Sequence, residues 1–322
     1  MSSIKKKKVL FVQYSQTGQL TNIVNSVSKP LIDSEQCDVK ILNIAPLEPY
    51  PYPWTFFEFF DVFPECVYLD PPALAPIELD ADERFDLVII AYQVWFLAPA
   101  LPITGFIQSD IARAILRDTP VITLIGCRNM WAMAQQTMMK MLEKVGARLL
   151  DNVVLVDQGS ALASFITTPR WLLTGKKGPF WGFPEAGVGD ADIENACRFG
   201  LAIEEALHSD RERLNQPLLT GLQAVQAEVS HIKSEKIGYR SFRIWGKLVR
   251  KAGKPGNTLR KPILLIYLIF LIIMIITVVP VNMLLKRLLY PFRKKQYLTM
   301  KHQYELPSGS DSERLDSYKC RK

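Results

Sequence analysis

The chain has 322 residues and a net charge of +7, and the charge is divided unevenly along its length. Residues 1–208 contain 17 Lys and Arg against 24 Asp and Glu, whereas residues 209–322 contain 22 against 8. The five cysteines form no CxxC pair, and with only three histidines the composition argues against a metal site. We therefore expect an acidic domain with reduced cysteines, followed by a basic region.

The hydrophobic pattern up to residue 208 predicts strands that alternate with helices. Short apolar runs predict five strands, at residues 8–14, 39–44, 85–92, 120–125 and 153–156. Helical spacing predicts helices at residues 20–27, 103–116, 133–145 and 190–207. This order predicts an α/β fold with a doubly wound parallel sheet, strand order 2-1-3-4-5. Ligands of such sheets bind at the carboxyl ends of the strands, so the loops after the first, third and fourth strands form the candidate site.

Two stretches, 46–76 and 160–189, are inserts that exceed the minimal fold and are rich in Pro and aromatic residues. The aromatic side chains of the first insert either cover the sheet as its second helix or form a hydrophobic entrance for a lipophilic substrate. Residues 209–261 are amphipathic and increasingly basic, which predicts a helix and a linker.

Residues 262–285 form a run of 24 residues without a charge. A helix of about 20 apolar residues crosses the ~30 Å core of a bilayer, so this run predicts a membrane helix. Six Lys or Arg lie on each side, in residues 247–261 and 286–301, so the positive-inside rule assigns no orientation. The segment either spans the membrane or turns back at Pro280 as a re-entrant hairpin. Residues 286–322 are predicted to be a basic interfacial segment and a disordered tail.

The N-terminal sequence predicts the compartment. After the lysines at positions 5–8 the apolar stretch is too short for a signal peptide. We therefore expect the globular domain in the cytoplasm, at the inner membrane. Basic residues beside an inserted helix are attracted to anionic lipid, which makes lipid and not nucleic acid the expected partner of the basic region.

The loop Ser15-Gln16-Thr17-Gly18-Gln19-Leu20 follows the first predicted strand and opens a helix. Backbone N–H groups at a helix N-terminus, together with the helix dipole, favour a phosphate. The hydroxyls of Ser15 and Thr17 can donate to phosphate oxygens, and Gly18 lets the backbone approach closely. The loop predicts a phosphate site, with an ordinary polar turn as the alternative.

The stretch VLFVQYSQTGQL resembles the first strand and FMN phosphate loop of flavodoxin-like flavoproteins, although Leu20 replaces the last Thr of their motif. The loops after the third and fourth predicted strands are similar to the second and third flavin loops of the quinone- and flavin-reductase branch. The resemblance covers residues 5–208 and implies a flavodoxin-like fold with FMN as cofactor. The flavin contacts that it implies are Gln93, Val94, Trp95, Phe96, Gly126, Arg128, Asn129 and Trp131. Trp95 and Trp131 suit stacking on the flavin, with plain packing as the alternative.

The whole chain also looks similar to bacterial proteins named dialkylresorcinol condensing enzymes, which share this beginning and the aromatic insert. Condensation by a ketosynthase uses a Cys nucleophile with His partners, whereas this domain has only His208. We therefore expect a membrane-anchored FMN-dependent oxidoreductase that passes electrons or hydride from NAD(P)H or another carrier to a quinone-like or alkyl-aromatic acceptor. The alternatives are an enzyme of dialkylresorcinol or alkyl-aromatic lipid biosynthesis and a non-catalytic membrane scaffold. A homodimer is compatible with each of these three functions. The sequence assigns no catalytic residue.

Overall fold

The computed structural model describes residues 6–320, apart from the side chains of residues 161, 162, 230 and 278–293. The strands are β1 (Lys7–Gln13), β2 (Cys37–Asn43), β3 (Leu87–Trp95), β4 (Ala98–Pro99), β5 (Pro120–Cys127) and β6 (Arg148–Val156). The helices are α1 (Gln19–Asp33), α2 (Phe56–Asp61), α3 (Phe63–Tyr68), α4 (Leu101–Gln108), α5 (Asp110–Leu116), α6 (Ala132–Val145), α7 (Ala161–Thr174), α8 (Asp190–Asn195), α9 (Cys197–His208), α10 (Val229–Lys251) and α11 (Arg260–Glu305).

Five parallel strands form the sheet in the order β2-β1-β3-β5-β6. This is the predicted order of the five long strands. The prediction missed a sixth strand, β4, which has two residues and pairs antiparallel with the end of β3. Because helices cover both faces of the sheet, β1, β3 and β5 are apolar and buried over most of their length.

Two predicted helices are each divided in two. The predicted helix at residues 103–116 is broken at Ser109, whose hydroxyl accepts a hydrogen bond from Ala112 N at 3.1 Å and caps α5. The closing helix is broken at Ala196, between α8 and α9. On one face of the sheet α9 packs against α1, and Gly200 makes this possible because a methyl group there would overlap the Val27 carbonyl oxygen.

The first insert forms α2 and α3, and α3 packs against α10 in the region that was predicted to be helix and linker. Phe63 of α3 is fully buried, and its ring centroid lies 5.7 Å from that of Phe242 of α10. The second insert forms α7 and the turn that follows it. The predicted helix in 209–261 is therefore α10, which is part of the globular unit.

The long helix α11 contains the predicted membrane segment, and both of its ends contact α10. The rings of Tyr267 and Phe242 have centroids 6.0 Å apart, and Lys236 Nζ lies 5.6 Å from the centroid of the Tyr304 ring. Residues 236 and 242 are about 9 Å apart along α10, whereas residues 267 and 304 would be about 55 Å apart on a straight helix. Side chains cannot bridge this difference, so α11 is bent and returns to the domain.

Two prolines, Pro280 and Pro291, lie in the sequence between these two contacts. Interior prolines remove a helix hydrogen bond and are a common cause of kinks. The side chains of residues 278–293, which include the second part of the predicted membrane segment, lie outside the described residues.

The prediction of a disordered tail after α11 is wrong. Ser308 is buried, and its hydroxyl donates to Asp151 Oδ1 at 2.7 Å and accepts from the Asn152 amide at 2.8 Å. Arg314 donates to the Leu218 carbonyl at 2.9 Å. The polar composition of the tail suggested disorder, but Ser308 satisfies polar groups of the edge strand β6 and Arg314 satisfies a carbonyl of the segment before α10.

The expectation that all cysteines are reduced is also wrong, because Cys197 of α9 and Cys320 of the tail form a disulfide. The two cysteines are 123 residues apart in sequence. They meet because the tail returns to the domain, which the spacing of cysteines in the sequence does not indicate. Cys37, Cys66 and Cys127 are free.

The Ser308→Ala substitution tests whether the tail is docked in solution. Asp151 is fully buried and accepts hydrogen bonds from Ser308 Oγ and from the Leu218 and Leu219 amides. Removing one donor from a buried carboxylate is expected to lower the free energy of unfolding by about 1–3 kcal/mol. The measurement is denaturant or thermal unfolding in mild detergent. Ser312→Ala, at an exposed position of the same tail, is the matched control and should have almost no effect. Equal effects of the two substitutions would contradict the docked tail.

Candidate functional site

The three predicted site loops lie together at the carboxyl edge of the parallel sheet. Residues 14–18 join β1 to α1, residues 93–95 end β3 and residue 96 follows it, and residues 126–131 include the end of β5 and its connection to α6. The first two loops touch through Tyr14 and Trp95, whose ring centroids are 5.7 Å apart. The strands that follow β1 in the chain lie on its two sides, β2 on one and β3 on the other. Doubly wound sheets bind ligands where the strand order changes direction in this way, here between β1 and β3.

The first loop is open on the side of Gly18 where a side chain would stand. This residue is the N-cap of α1 with φ 82°, and a methyl group on it would have no heavy atom within 4 Å. The N-cap residue makes no side-chain hydrogen bond, and the Thr21 amide in the first turn donates to the Ser15 hydroxyl at 3.4 Å. Among the described contacts, the amides of Gln19 and Leu20 have no partner and are available to an anion.

The other side chains of the first loop are used inside the protein. Gln16 donates to the Pro51 carbonyl at 2.9 Å and accepts from the Tyr14 hydroxyl. Gln19 accepts from the Val188 amide at 3.1 Å. Leu20 is buried in the core and cannot replace the threonine that it displaces in the flavodoxin-like motif. Ser15, Thr17 and the backbone are therefore the groups of this loop that remain for a phosphate.

The second loop holds Trp95 in an aromatic cluster. Its ring is edge-on to Tyr14, Tyr50 and Trp54, with centroid distances of 5.7, 5.2 and 5.8 Å. Burial raises the pKa of Tyr14 and of Tyr50, so both are neutral donors at physiological pH. The cluster forms an apolar wall beside the first loop, made from the ends of β1 and β3 and from the first insert. Gln93 and Val94 are half-buried on the same strand.

The turn after Trp95 is strained. Phe96 and Leu97 have φ of 49° and 64° and form the two-residue loop between β3 and β4. A tight hairpin of this kind needs positive φ at both positions, which Gly and Asn adopt more easily than bulky residues. Such strain costs of order 1–3 kcal/mol per residue and collects at functional sites. The turn places the Phe96 ring against α2, α3 and α10, where it contacts Phe59, Phe63 and Phe242.

The third loop is packed more tightly against the protein than the first loop. Gly126 lies against α1, because a methyl group there would be 3.1 Å from Ile23 Cδ1. The Arg128 guanidinium lies 4.1 Å from the centroid of the Phe165 ring, and burial lowers its pKa. Trp131 is 4% exposed, and the buried Asn129 side-chain oxygen has no hydrogen-bond partner among the described residues. Arg128 and Gly126 thus pack against α7 and α1.

Asn129 and Trp131 border a cleft of about 400 Å³ that the sequence did not predict. The start of α10 and the end of α11 form its other walls, with His231 and Lys301 on them. His231 Nδ1 lies 3.3 Å from Glu228 Oε2, one turn away on the same helix. The cleft has the size of a small-molecule site and lies at the carboxyl edge of the sheet.

Glu235 connects α10 to the third loop. It is 1% exposed, and its carboxylate accepts a hydrogen bond from the Met133 amide at 2.8 Å, at the N-terminus of α6. Burial raises its pKa to about 7, and hydrogen bonds from the Met133 and Ala132 amides oppose the rise. Desolvation raises the pKa of the half-buried Cys127, and the Glu235 carboxylate adds to the rise, so this thiol is not an activated nucleophile.

Sequence reasoning missed Tyr14, Tyr50 and Glu235 as parts of this edge, and it left Trp54 between covering the sheet and forming a hydrophobic entrance. Tyr14 stood at the end of a predicted strand and Tyr50 in a Pro-rich insert whose path the sequence did not show. Glu235 stood in an amphipathic basic segment, where a carboxylate is expected to face solvent. Among the described residues, no group of three or more His, Cys, Asp or Glu side chains could hold a metal ion.

The structure is similar at low sequence identity to solved flavodoxins and flavoproteins. A flavoprotein in complex with FMN from Lactobacillus acidophilus NCFM is 15% identical, with a TM-score of 0.37 over 46% of this chain and 93% of that chain. A flavodoxin from the domain Archaea is 11% identical, with a TM-score of 0.36 over 62% and 99%. A flavone reductase is 13% identical, with a TM-score of 0.35 over 63% and 64%.

No protein-family model matches this chain, and no curated protein is similar to it. None of the structures named above supports the resemblance to dialkylresorcinol condensing enzymes. Scores and identities this low assign no activity, so the functional argument depends on the geometry of the carboxyl edge.

The Glu235→Gln substitution should change how stability depends on pH. The pKa of the folded state is raised to about 7 from an ordinary 4.5, so the ionised carboxylate destabilises the folded protein above pH 7 by about 3 kcal/mol. This destabilisation disappears as the pH falls and the folded protein takes up the proton. The variant should therefore unfold at a higher temperature than the parent at pH 8, and the difference should shrink towards pH 5.

The measurement is the unfolding temperature in mild detergent between pH 5 and pH 8. Glu313→Gln, the same substitution at an exposed glutamate, is the matched control. A difference for Glu235→Gln that is constant over this range would contradict the assignment.

Proposed function

We propose that this protein is a membrane-associated, FMN-dependent oxidoreductase. It would pass electrons or hydride from NAD(P)H or another carrier to a lipophilic acceptor, quinone-like or alkyl-aromatic. The observation that carries the proposal is the convergence of an uncapped helix N-terminus at Gly18 and an aromatic wall at Trp95 on one edge of a doubly wound sheet.

The residues at this edge fit FMN. The open amides of α1 with Ser15 and Thr17 would hold the phosphate, and the wall of Trp95 and Tyr14 would contact the flat, apolar isoalloxazine. FMN, when bound, would supply the hydride or electron transfer itself. The chain's own contribution is to orient the ring system and to exclude water with its aromatic side chains. Trp131 and Asn129 would face the same edge from the third loop.

An apolar surface beside this edge supports a lipophilic acceptor and a lipid partner. Phe56 and Phe57 of α2 are 40% and 38% exposed, and Lys261 Nζ lies 5.7 Å from the centroid of the Phe57 ring. Aromatic residues flanked by basic ones are typical of the membrane interface. Among the described residues, one helix is long and apolar enough to cross a membrane, with its most apolar window at Arg260–Thr277.

A non-catalytic scaffold is the second candidate. Leu20 is buried where the flavodoxin-like motif has a phosphate-binding threonine, and the aromatic cluster at Trp95 is already packed against itself. Either feature would follow if the fold had been kept and the flavin lost. The presence or absence of bound flavin distinguishes the two candidates.

The first test is the visible absorption spectrum of the full chain purified in mild detergent, followed by denaturation and identification of the released cofactor. Near-stoichiometric FMN is the expected result. If the protein holds no flavin and takes up no added FMN, the oxidoreductase proposal is wrong and the scaffold is favoured.

The Gly18→Val substitution tests the phosphate loop. Its side chain would fill the open space before the α1 amides, and a β-branched residue is strained at φ 82°. FMN affinity should fall at least about tenfold, equal to 1.4 kcal/mol, in a fluorescence titration of flavin-free protein. Gly256→Val is the matched control, because Gly256 has φ 84° and equally open surroundings in the loop before α11. Equal FMN affinity in the two variants would remove the first loop from the site.

A further inference from the structure

The exposed faces of α11 fit lipid better than water. Of the window Arg260–Thr277, 17% is buried. The isoleucines at its outer faces are more than half exposed: Ile266 57%, Ile269 52%, Ile273 53% and Ile276 68%. Soluble monomers rarely expose a continuous apolar surface of this extent, which marks a membrane or protein contact. The basic residues on both flanks favour an anionic bilayer as the partner.

The beginning of α11 is fixed to the domain. The fully buried Arg260 pairs with Glu65 Oε2 of α3 at 2.8 Å and with Asp61 Oδ1 of α2 at 2.8 Å. Breaking a buried ion pair by removing one partner leaves an unpaired charge and is strongly destabilising. The membrane segment therefore starts at a rigid point on the surface of the domain.

The end of α11 is fixed to the same domain. Glu305 Oε1 accepts a hydrogen bond from the Ala227 amide at 3.0 Å, two residues before α10. Further along the tail, Ser308 binds Asp151, Tyr318 donates to Glu205 at 2.7 Å, and Cys320 is bonded to Cys197. These contacts require the tail and the domain to be in one compartment.

A helix that spanned the bilayer would place the tail on the far side. The buried Asp151 would lose one of its donors, and the Asn152 amide of the edge strand would lose its acceptor. Spanning would also carry the six Lys and Arg of residues 286–301 across the membrane. Docking of the tail and simple spanning therefore exclude each other.

We infer that α11 is a monotopic anchor, which enters the bilayer and leaves it on the side that holds both the globular domain and the C-terminal tail. The inference rests on the membrane association in the proposed function and deepens it. The bend between Tyr267 and Tyr304 provides the return path. Lys and Arg on the returning arm can extend their charged ends to the headgroups while their stems lie along the apolar surface.

The experiment compares reporters at the two ends of the full chain in a bacterial host. Green fluorescent protein fluoresces when it folds in the cytoplasm, and alkaline phosphatase is active when it is exported. Each is fused in turn to the N-terminus and to the C-terminus. The expected result is the same reporter response at both ends, with the protein retained in the membrane fraction after carbonate washing.

Opposite responses at the two ends would show simple spanning and overturn the inference. Protein that is recovered without membrane would overturn it as well, because no anchor would then exist. The flavin content of the same preparations is measured separately, so FMN-loaded protein with a spanning tail would leave the oxidoreductase proposal intact.

A second measurement uses the native disulfide. Intact membranes are treated with a mild oxidant and digested, and the peptide that links Cys197 to Cys320 is sought by mass spectrometry. Its formation without detergent is expected, since both cysteines lie on one side. Cys320→Ser is the control that cannot form it. If the linked peptide appears only after the membrane is dissolved, the tail lies on the other side and the inference is wrong.

Discussion

The free edge of the sheet at β6 constrains the rest of the chain. An edge strand leaves backbone N–H and C=O groups without partners, and proteins cover or pair such edges. Here the Asn152 amide donates to Ser308 Oγ and the Val154 amide donates to the Ala224 carbonyl. The buried Asp151 binds the tail and the segment before α10 at the same time. Because the last residues of the chain close this edge, the chain must return to the domain after its apolar segment.

That return places the apolar segment beside the candidate site. Phe96, on the strained turn at the end of β3, contacts Phe242 of α10 at 5.8 Å, and Phe242 contacts Tyr267 of α11 at 6.0 Å. Packed aromatic side chains therefore connect the carboxyl edge of the sheet to the start of α11. A change in the position of α11 would be transmitted to Phe96 through rigid rings, since packed interiors have little free volume.

The sequence predicted the parts of the fold that depend on local pattern. The apolar runs of β1, β3 and β5 identified the sheet because strands buried on both faces have few polar residues. The Ser15–Gly18 turn was found for a similar reason, because a polar turn between a strand and a helix is a local signal. Contacts between distant residues were not predictable: Ser308 is ordered by Asp151, 157 positions away, and the Glu235 carboxylate is held by an amide at the start of α6. The hairpin at Phe96 lacked the glycine that normally marks such a turn.

The proposed anchor on one side would explain why an aromatic insert, a strained hairpin and the apolar segment of α11 share one edge of the sheet. An acceptor with an alkyl chain loses about 0.8 kcal/mol per methylene when it leaves lipid for water, so ten methylenes would cost about 8 kcal/mol. A soluble flavodoxin-type protein would have to bear that cost in every turnover. If the candidate site lies against the bilayer through α2 and α11, the ring of the acceptor can reach Trp95 while its chain stays in lipid. A scaffold without a ligand would have no comparable reason to leave the N-terminus of α1 open at Gly18 beside that surface.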